Sequence, residues 1–329
     1  MTESTLTLGY TDYQRIVGYE LGFGRDSSLW SSDQTSLVDD IIQSGLRKFY
    51  YPQVINNEQQ HEWSFLRPTT NLTTIADYST GTVSSSGTTV TLTDGTWPSW
   101  AATNGTLVVD NTDYEISSRT NDTVIELESA PSSAFSDDSY TLEHNANYDL
   151  PDDFGALNGG FYYPDDVYYP SILIVPYTLI YEYRQVDSSD GYPKYAAIRP
   201  KTTDGTDGQR FQALFWPRPN SAWNLIYSYS VLPNKLSESY PYPYGGMAHT
   251  ETILSAMLAT VEQMGDNVEG VHYNTFVRNL TASIKVDQNL CPDHFGYVGD
   301  QSNNKSMFSK YFRRNNVTIT YEGESIPRG

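Results

Sequence analysis

The chain has 329 residues and sets 40 Asp and Glu against 20 Lys and Arg, a formal net charge of −20. Such a surface repels nucleic acid, which excludes a phosphate-gripping groove but leaves open a channel through which DNA slides without sticking. The single cysteine, Cys291, excludes an intrachain disulfide framework and a cysteine-built metal site, and fits maturation in a reducing cytoplasm.

The first sixty residues read as two helices. TDYQRIVGYELG offers Thr11 as N-cap, apolar residues near helical spacing and Gly22 as a stop. After the loop GFGRDSSLW, Ser31 and Gln34 form a capping-box pattern. Leu37, Val38, Ile41, Ile42, Leu46 and Phe49 then share one side of a second helix, which Pro52 ends. The two helices are expected to pair as a hairpin.

From Thr69 to Ala146 the composition turns to Thr, Ser, Gly, Asn and Asp. GTTVTLTDG, TLVVDNTDYEISSRT and DTVIELES read as strands between turns. This stretch holds eleven acidic residues against Arg119 alone, half the net charge of the chain, and reads as a separate small β-barrel or sandwich. PSILIVPYTLIYEYRQV, KYAAIRPKTT, RFQALFWPRP and WNLIYSYSVLP follow as longer aromatic strands of an antiparallel sheet with one covered face.

Helical spacing returns near Gly246. Met247, Ile253, Leu254, Met257, Leu258, Val261 and Met264 form one stripe, and Tyr273, Phe276, Val277, Leu280 and Ile284 a second. The fold class expected is therefore α+β. A helical bundle is built from both chain ends, with a small β-barrel or sandwich and an antiparallel β region inserted between them. The boundaries are 1–68, 69–146, 147–245, 246–291 and an extended arm, 292–329. The arm carries five basic against four acidic residues, on a strongly acidic body. Its NVTITYEG is strand-like and suited to pairing with a sheet edge.

Chemistry has little support in the pattern. The acidic pairs Asp39-Asp40, Asp137-Asp138, Asp152-Asp153 and Asp165-Asp166 are sequence neighbours. A glycosidase needs two carboxylates facing across a cleft, whereas adjacent strand residues point to opposite faces. In LPDDFG, Pro151 presets a turn, and Asp152 and Asp153 can bond their own backbone. His61, His144, His249, His272 and His294 make no metal-binding spacing, and no P-loop, GxSxG or GxGxxG occurs. No catalytic, cofactor or metal residue is assigned. The methionine stripe reads as core before it reads as a pliable binding groove. The aromatic residues of GTWPSWAATNG could stack on sugars or fill a barrel. MTESTLTLGYTDYQ reads as no secretory leader, and the longest apolar run, SILIVPY, is too short to span a bilayer. The 27 Tyr, against 12 Phe and 6 Trp, suit half-buried contacts between chains.

Three segments resemble those of the adaptor, or head-to-tail connector, proteins of tailed bacteriophages. They are GFGRDSSLWSSDQTSLVDDIIQSGLRKFYYP with the HEWSFLRP that follows, YDLPDDFG, and the late helix pair with FGYVGDQS. Together they cover about half of the chain. The resemblance implies a non-enzymatic structural virion protein at the neck, assembled in the host cytoplasm. Its copies form a ring, a dodecamer, between the portal protein and the tail proteins, and DNA passes through during ejection. It makes YDLPDDF a corner fixed by Pro151, Asp152 and Asp153, where the chain leaves the β insertion. The arm is expected to dock on the portal or a neighbouring subunit through Phe295, Tyr297, Phe308, Tyr311, Phe312, Arg313 and Arg314. The rival reading is a carbohydrate-binding or depolymerising tail protein. It would call for a trimeric β-helix repeat or a carboxylate cleft; no periodic repeat is present, and the terminal helices argue against a β-helix.

Overall fold

The computed structural model describes residues 3–52, 60–164, 169–187, 189–203, 205–206, 208–266 and 270–290, and the main chain of 319–321 and 324–326. In chain order these hold α1 (Tyr10–Glu20), α2 (Ser32–Tyr50), β1 (Thr69–Thr73), β2 (Thr82–Ser86), β3 (Thr89–Thr93) and the single turn α3 (Ala101–Asn104). β4 (Gly105–Val109), β5 (Thr112–Arg119), β6 (Val124–Leu127), β7 (Thr141–His144), β8 (Asn147–Asp149), β9 (Phe154–Tyr162) and β10 (Leu173–Ile174) follow. Then come α4 (Tyr177–Val186), β11 (Asp190–Gly191), β12 (Tyr195–Pro200), β13 (Phe211–Trp216), β14 (Arg218–Pro219) and β15 (Asn224–Val231). The last are α5 (Thr250–Asp266), α6 (Val271–Leu290), β16 (Ile319–Tyr321) and β17 (Glu324–Ile326). The architecture is mixed α and β with mainly antiparallel sheets. Among the described residues no helix is long and apolar enough to cross a membrane.

α1 starts two residues earlier than Thr11 suggests. Gly9 is its N-cap, because Asp12 accepts the Gly9 amide at 3.1 Å and the Pro241 carbonyl takes the Tyr10 amide at 2.7 Å. Gly22, at φ 79°, closes it in the left-handed region that glycine enters without strain. α2 is capped as its sequence specifies. The Gln34 amide donates to Ser31 Oγ at 3.2 Å, and Gln34 Oε1 accepts the Ser31 amide at 2.8 Å. Val38, Ile41, Ile42, Leu46 and Phe49 of α2 pack with Tyr13 and Val17 of α1, Ile253 and Met257 of α5, and Phe276 and Leu280 of α6 in one core. Helices from both ends of the chain therefore share a hydrophobic interior. At Gly45 the contact is so close that a Cβ would lie 2.8 Å from the Met257 main chain.

The methionine stripe divides. Met257 is buried, while Met247 and Met264 are half exposed. α5 is enclosed on several sides, so it buries the small residues Ala256 and Ala259 and the polar Thr252, Ser255 and Thr260. Their hydroxyls find partners: Lys48 Nζ donates to Thr260 Oγ1 at 3.0 Å, and Thr252 and Ser283 are joined at 2.6 Å.

Two sheets, β1-β15-β9 and β10-β12-β13-β8, enclose a second core that includes Leu72, Phe154, Phe161, Phe215, Leu225 and Tyr227. All pairs in them are antiparallel except β10 with β12. The expected strand through TLIYEYRQV is instead α4. Pro176 precedes its first turn, where a missing amide costs nothing. Ile180 and Arg184, one turn apart, then face the sheet. Ile180 packs on Ala197 and Leu214, and Arg184 donates to the carbonyls of Ala146 and Phe215 at 3.1 and 2.9 Å. The alternating Tyr, Leu, Tyr and Tyr mimic a strand, but this i, i+4 pair decides the period.

The acidic region forms a six-stranded antiparallel sheet, order β2-β3-β6-β5-β4-β7. Asp110 and Asn111, both at positive φ, make the two-residue turn between β4 and β5. The sheet curls until Val83 of β2 exchanges main-chain bonds with Asp138, at 2.9 and 3.0 Å, just ahead of β7. Val83, Val90, Trp97, Leu107, Ile125 and Leu142 fill its interior. Trp97 thus belongs to this core and is not a sugar platform. The boundary at Thr69 needs correction, because β1 pairs with β15 and Leu72 packs in the second core. The six-stranded module begins near Tyr78.

β16 and β17 pair with each other in a second unit, Gln288–Gly329.

The ends of the six-stranded module touch: Tyr78 and Leu142 exchange main-chain hydrogen bonds at 3.0 and 2.7 Å. Replacing 79–141 with a short Gly-Ser linker should therefore leave the helical core folded. Far-ultraviolet circular dichroism should retain the helical signal and a cooperative melt, whereas loss of both would make the module part of the main core.

Candidate docking surface

Asp152 and Asp153 form the turn between β8 and β9, closed by the Phe154 amide on the Pro151 carbonyl at 2.9 Å. Their carboxylates are not spent on their own backbone. Asp152 pairs with Arg210 at 2.9 Å, and Asp153 accepts the Tyr229 hydroxyl at 3.0 Å. The Asp153 carbonyl also takes the Leu232 amide at 2.7 Å. The turn therefore joins the edge of one sheet to the central strand of the other. The corner lies within the second β region, and the chain leaves the six-stranded module slightly earlier, between β7 and β8. The expected docking residues, Phe295, Tyr297, Phe308, Tyr311, Phe312, Arg313 and Arg314, lie outside the described residues.

From this corner an aromatic surface runs to the start of α1. Tyr244 gives its amide to the Tyr50 hydroxyl at 2.8 Å, and their rings meet edge-on. Tyr242 lies against Gly9, and Met247 Sδ receives the Ser4 hydroxyl at 3.7 Å. Tyr51, Tyr240, Tyr242, Tyr244 and Met247 are 40 to 62% exposed along this path. Carboxylates rim it: Asp39 accepts the Tyr10 hydroxyl, and Asp153 and Glu238 lie near Tyr244 and Tyr10 respectively. Burial, with these negative charges, raises the pKa of the Tyr10 and Tyr244 phenols, so they stay neutral donors. Large amphipathic rings exposed in a row are what protein contacts use. The sequence signal for this surface is the alternating Tyr and Pro of SYPYPYGGM. Proline removes the donors and forbids the helix that would have turned half the rings inward.

Buried polar groups elsewhere are structural in their geometry. Asp287 of α6 accepts from the Ser64 amide and hydroxyl at 3.0 and 2.5 Å and lies 2.9 Å from His61 Nε2. It thereby ties α6 to the short turn after α2. His249 packs among Phe49, Trp63 and Phe65, and burial holds its pKa below the ordinary value. A groove of about 420 Å³ lies between β1 and Tyr148–Asp152. Both of its carboxylates are already paired, Asp149 with Lys201 at 2.9 Å and Asp152 with Arg210. Among the described residues no three His, Cys, Asp or Glu side chains gather as metal ligands.

The six-stranded module meets the second β region at a charged joint. Arg218 pairs with Glu143 of β7 and, at 3.0 Å, with Asp190 of β11. Asp77 accepts the His144 amide at 3.1 Å beside them. Burial is the main cause that pushes Asp77 up to about 6, with Asp190 adding to it. Burial, then Arg184, pushes His144 down to about 4.

Compared with models of known protein families the chain matches none, and no curated protein aligns with it significantly.

The two joint residues bias stability in opposite directions between about pH 4 and 6. Asp77 keeps a proton in the fold that the unfolded chain has lost. Its contribution is complete below the ordinary carboxylate pKa and disappears as pH rises through about 6. His144 stays neutral in the fold, so its contribution is complete above 6.5 and disappears as pH falls through about 4. Asp77→Asn should gain stability relative to the native chain as pH rises across this window, and His144→Gln should lose it. Urea denaturation at several pH values reads both, and curves parallel to the native one would contradict the assignment.

Proposed function

We propose that this protein is a head-to-tail adaptor of a tailed bacteriophage, a structural virion protein without catalytic function. Its copies ring the channel between portal and tail. The observation that carries the reading is the shared core of α1, α2, α5 and α6, from which the whole stretch β1 to β15 departs and returns. We read these four helices as the adaptor's bundle, in line with the three segments that resemble such proteins. The exposed tyrosine surface supplies area for subunit contacts, and the charge of −20 favours a conduit wall that does not hold DNA. The arm, 292–329, is the segment that docks on the portal or an adjacent adaptor subunit, and tail proteins meet the opposite face of the ring.

Mixed with the portal of the same virion, the full chain should form a ring matching the portal's symmetry, weighed by native mass spectrometry. Truncation after Leu290 should leave a folded chain that no longer joins. An absent or sub-stoichiometric complex of the full chain contradicts the adaptor reading. Undiminished assembly of the truncated chain moves the anchor from the arm to the helices.

A further inference from the structure

We propose that the open edge of β1, with the groove beside it, receives the β16–β17 hairpin of a second copy of this chain, adding its strands to the β1-β15-β9 sheet. This goes beyond the adaptor reading and requires only that copies meet.

The register of β1 shows which main-chain groups are unused. The Thr74 amide bonds the Trp223 carbonyl at 2.8 Å, and the Tyr229 amide bonds the Pro68 carbonyl at 3.3 Å. With Thr70 opposite Tyr227 and Leu72 opposite Leu225, the antiparallel alternation turns the amides and carbonyls of Thr70 and Leu72 toward β15. Those of Thr69, Asn71 and Thr73 point away from it. Among the described residues no strand pairs with β1 on that side.

This edge also lacks the usual protections. Natural sheets guard their edges with charge, bulges or a covering segment. β1 is Thr-Thr-Asn-Leu-Thr, uncharged, free of proline and in register with β15 throughout. The opposite edge, β9, carries two register shifts and three glycines. The edge of the six-stranded sheet at β2 is covered by Phe135 and Asp138. β1 is thus left open while β9 is blunted and β2 is covered. The groove along it is walled on the far side by Tyr148–Asp152, with Tyr227 in its lining.

The occupant follows from the second unit. Among the described residues β16 and β17 pair only with each other, in the register Ile319 to Ile326, which leaves an outer edge on each. A two-stranded hairpin is marginal in water and is stabilised by joining a sheet of three or more strands. Addition of one copy's hairpin to the next copy's β1 is a head-to-tail contact, which closes into a ring when the rotation allows.

Disulfide trapping between separately made variants tests this, in a Cys291→Ser background. Asn71→Cys protein mixed with Thr320→Cys protein should give at least tenfold more cross-linked heterodimer than Thr112→Cys mixed with Thr320→Cys, since Thr112 is exposed on the six-stranded module. Circular dichroism confirms that each variant is folded. A synthetic peptide of residues 315–329 should suppress the cross-link. Equal yields at the two positions overturn the proposal. So does a monomeric disulfide in the Asn71→Cys/Thr320→Cys double variant with no heterodimer in the mixture, which would place the hairpin on its own copy. Loss of portal binding would leave this cross-link unchanged, so the two readings fail separately.

Discussion

Antiparallel pairing of β1 with β15 brings Thr69 beside Ser228 and thereby closes the longest excursion of the chain. β1 follows the short turn after α2, and β15 leads back toward α5. That pairing sets the two ends of the β region side by side, and the helices that flank it share one core. The pairing is narrow, but the face that Leu72 and Thr74 share is supported. Leu72 and Leu225 are buried in the second core, and Thr74 exchanges its hydroxyl and amide with the Ser221–Trp223 segment. The closure entropy of so long a loop grows only logarithmically, so a modest sheet contact backed by a core can hold it.

Charge plays two roles in this molecule. Most carboxylates are spread over the surface, where they set a repulsive field and contribute little to stability individually. A few are drawn into joints. Glu143 and Asp190 meet on Arg218, and the Arg184 guanidinium is spent on main-chain carbonyls where β8, β13 and α4 converge. Buried ion pairs are weak sources of stability because desolvation offsets the attraction. Their directional bonds instead fix the angle at which the six-stranded module leaves the body.

Legibility in the sequence followed the locality of each signal. The Ser31–Gln34 cap and the apolar side of α2 depend on residues three or four apart and were readable directly. So were the hairpins of the acidic module, where turn residues flank short alternating runs. α4 was misread because its exposed face alternates tyrosines, while the residues that set its period, Ile180 and Arg184, are recognised only by the sheet they touch. β1 was assigned to the wrong sheet for a related reason. Its Thr-rich composition matches the module that follows, and its partner lies more than 150 residues away. The turn at Pro151–Asp153 was legible from local chemistry. The tyrosine surface was not, because it gathers residues from the start of the chain, the end of α2 and the 240–247 loop.

The central claim is that closure by β1 and β15 holds the helices of the two chain ends together. Thr70→Pro removes an amide turned toward β15 without altering any helix, and hydrogen exchange followed by mass spectrometry reads the consequence segment by segment. The closure predicts that protection falls together in β15, α2 and α5 while the strands β2 to β7 exchange as before. Loss of protection confined to β1 and β15, with α2 and α5 unchanged, would mean that the helical core stands without the closure.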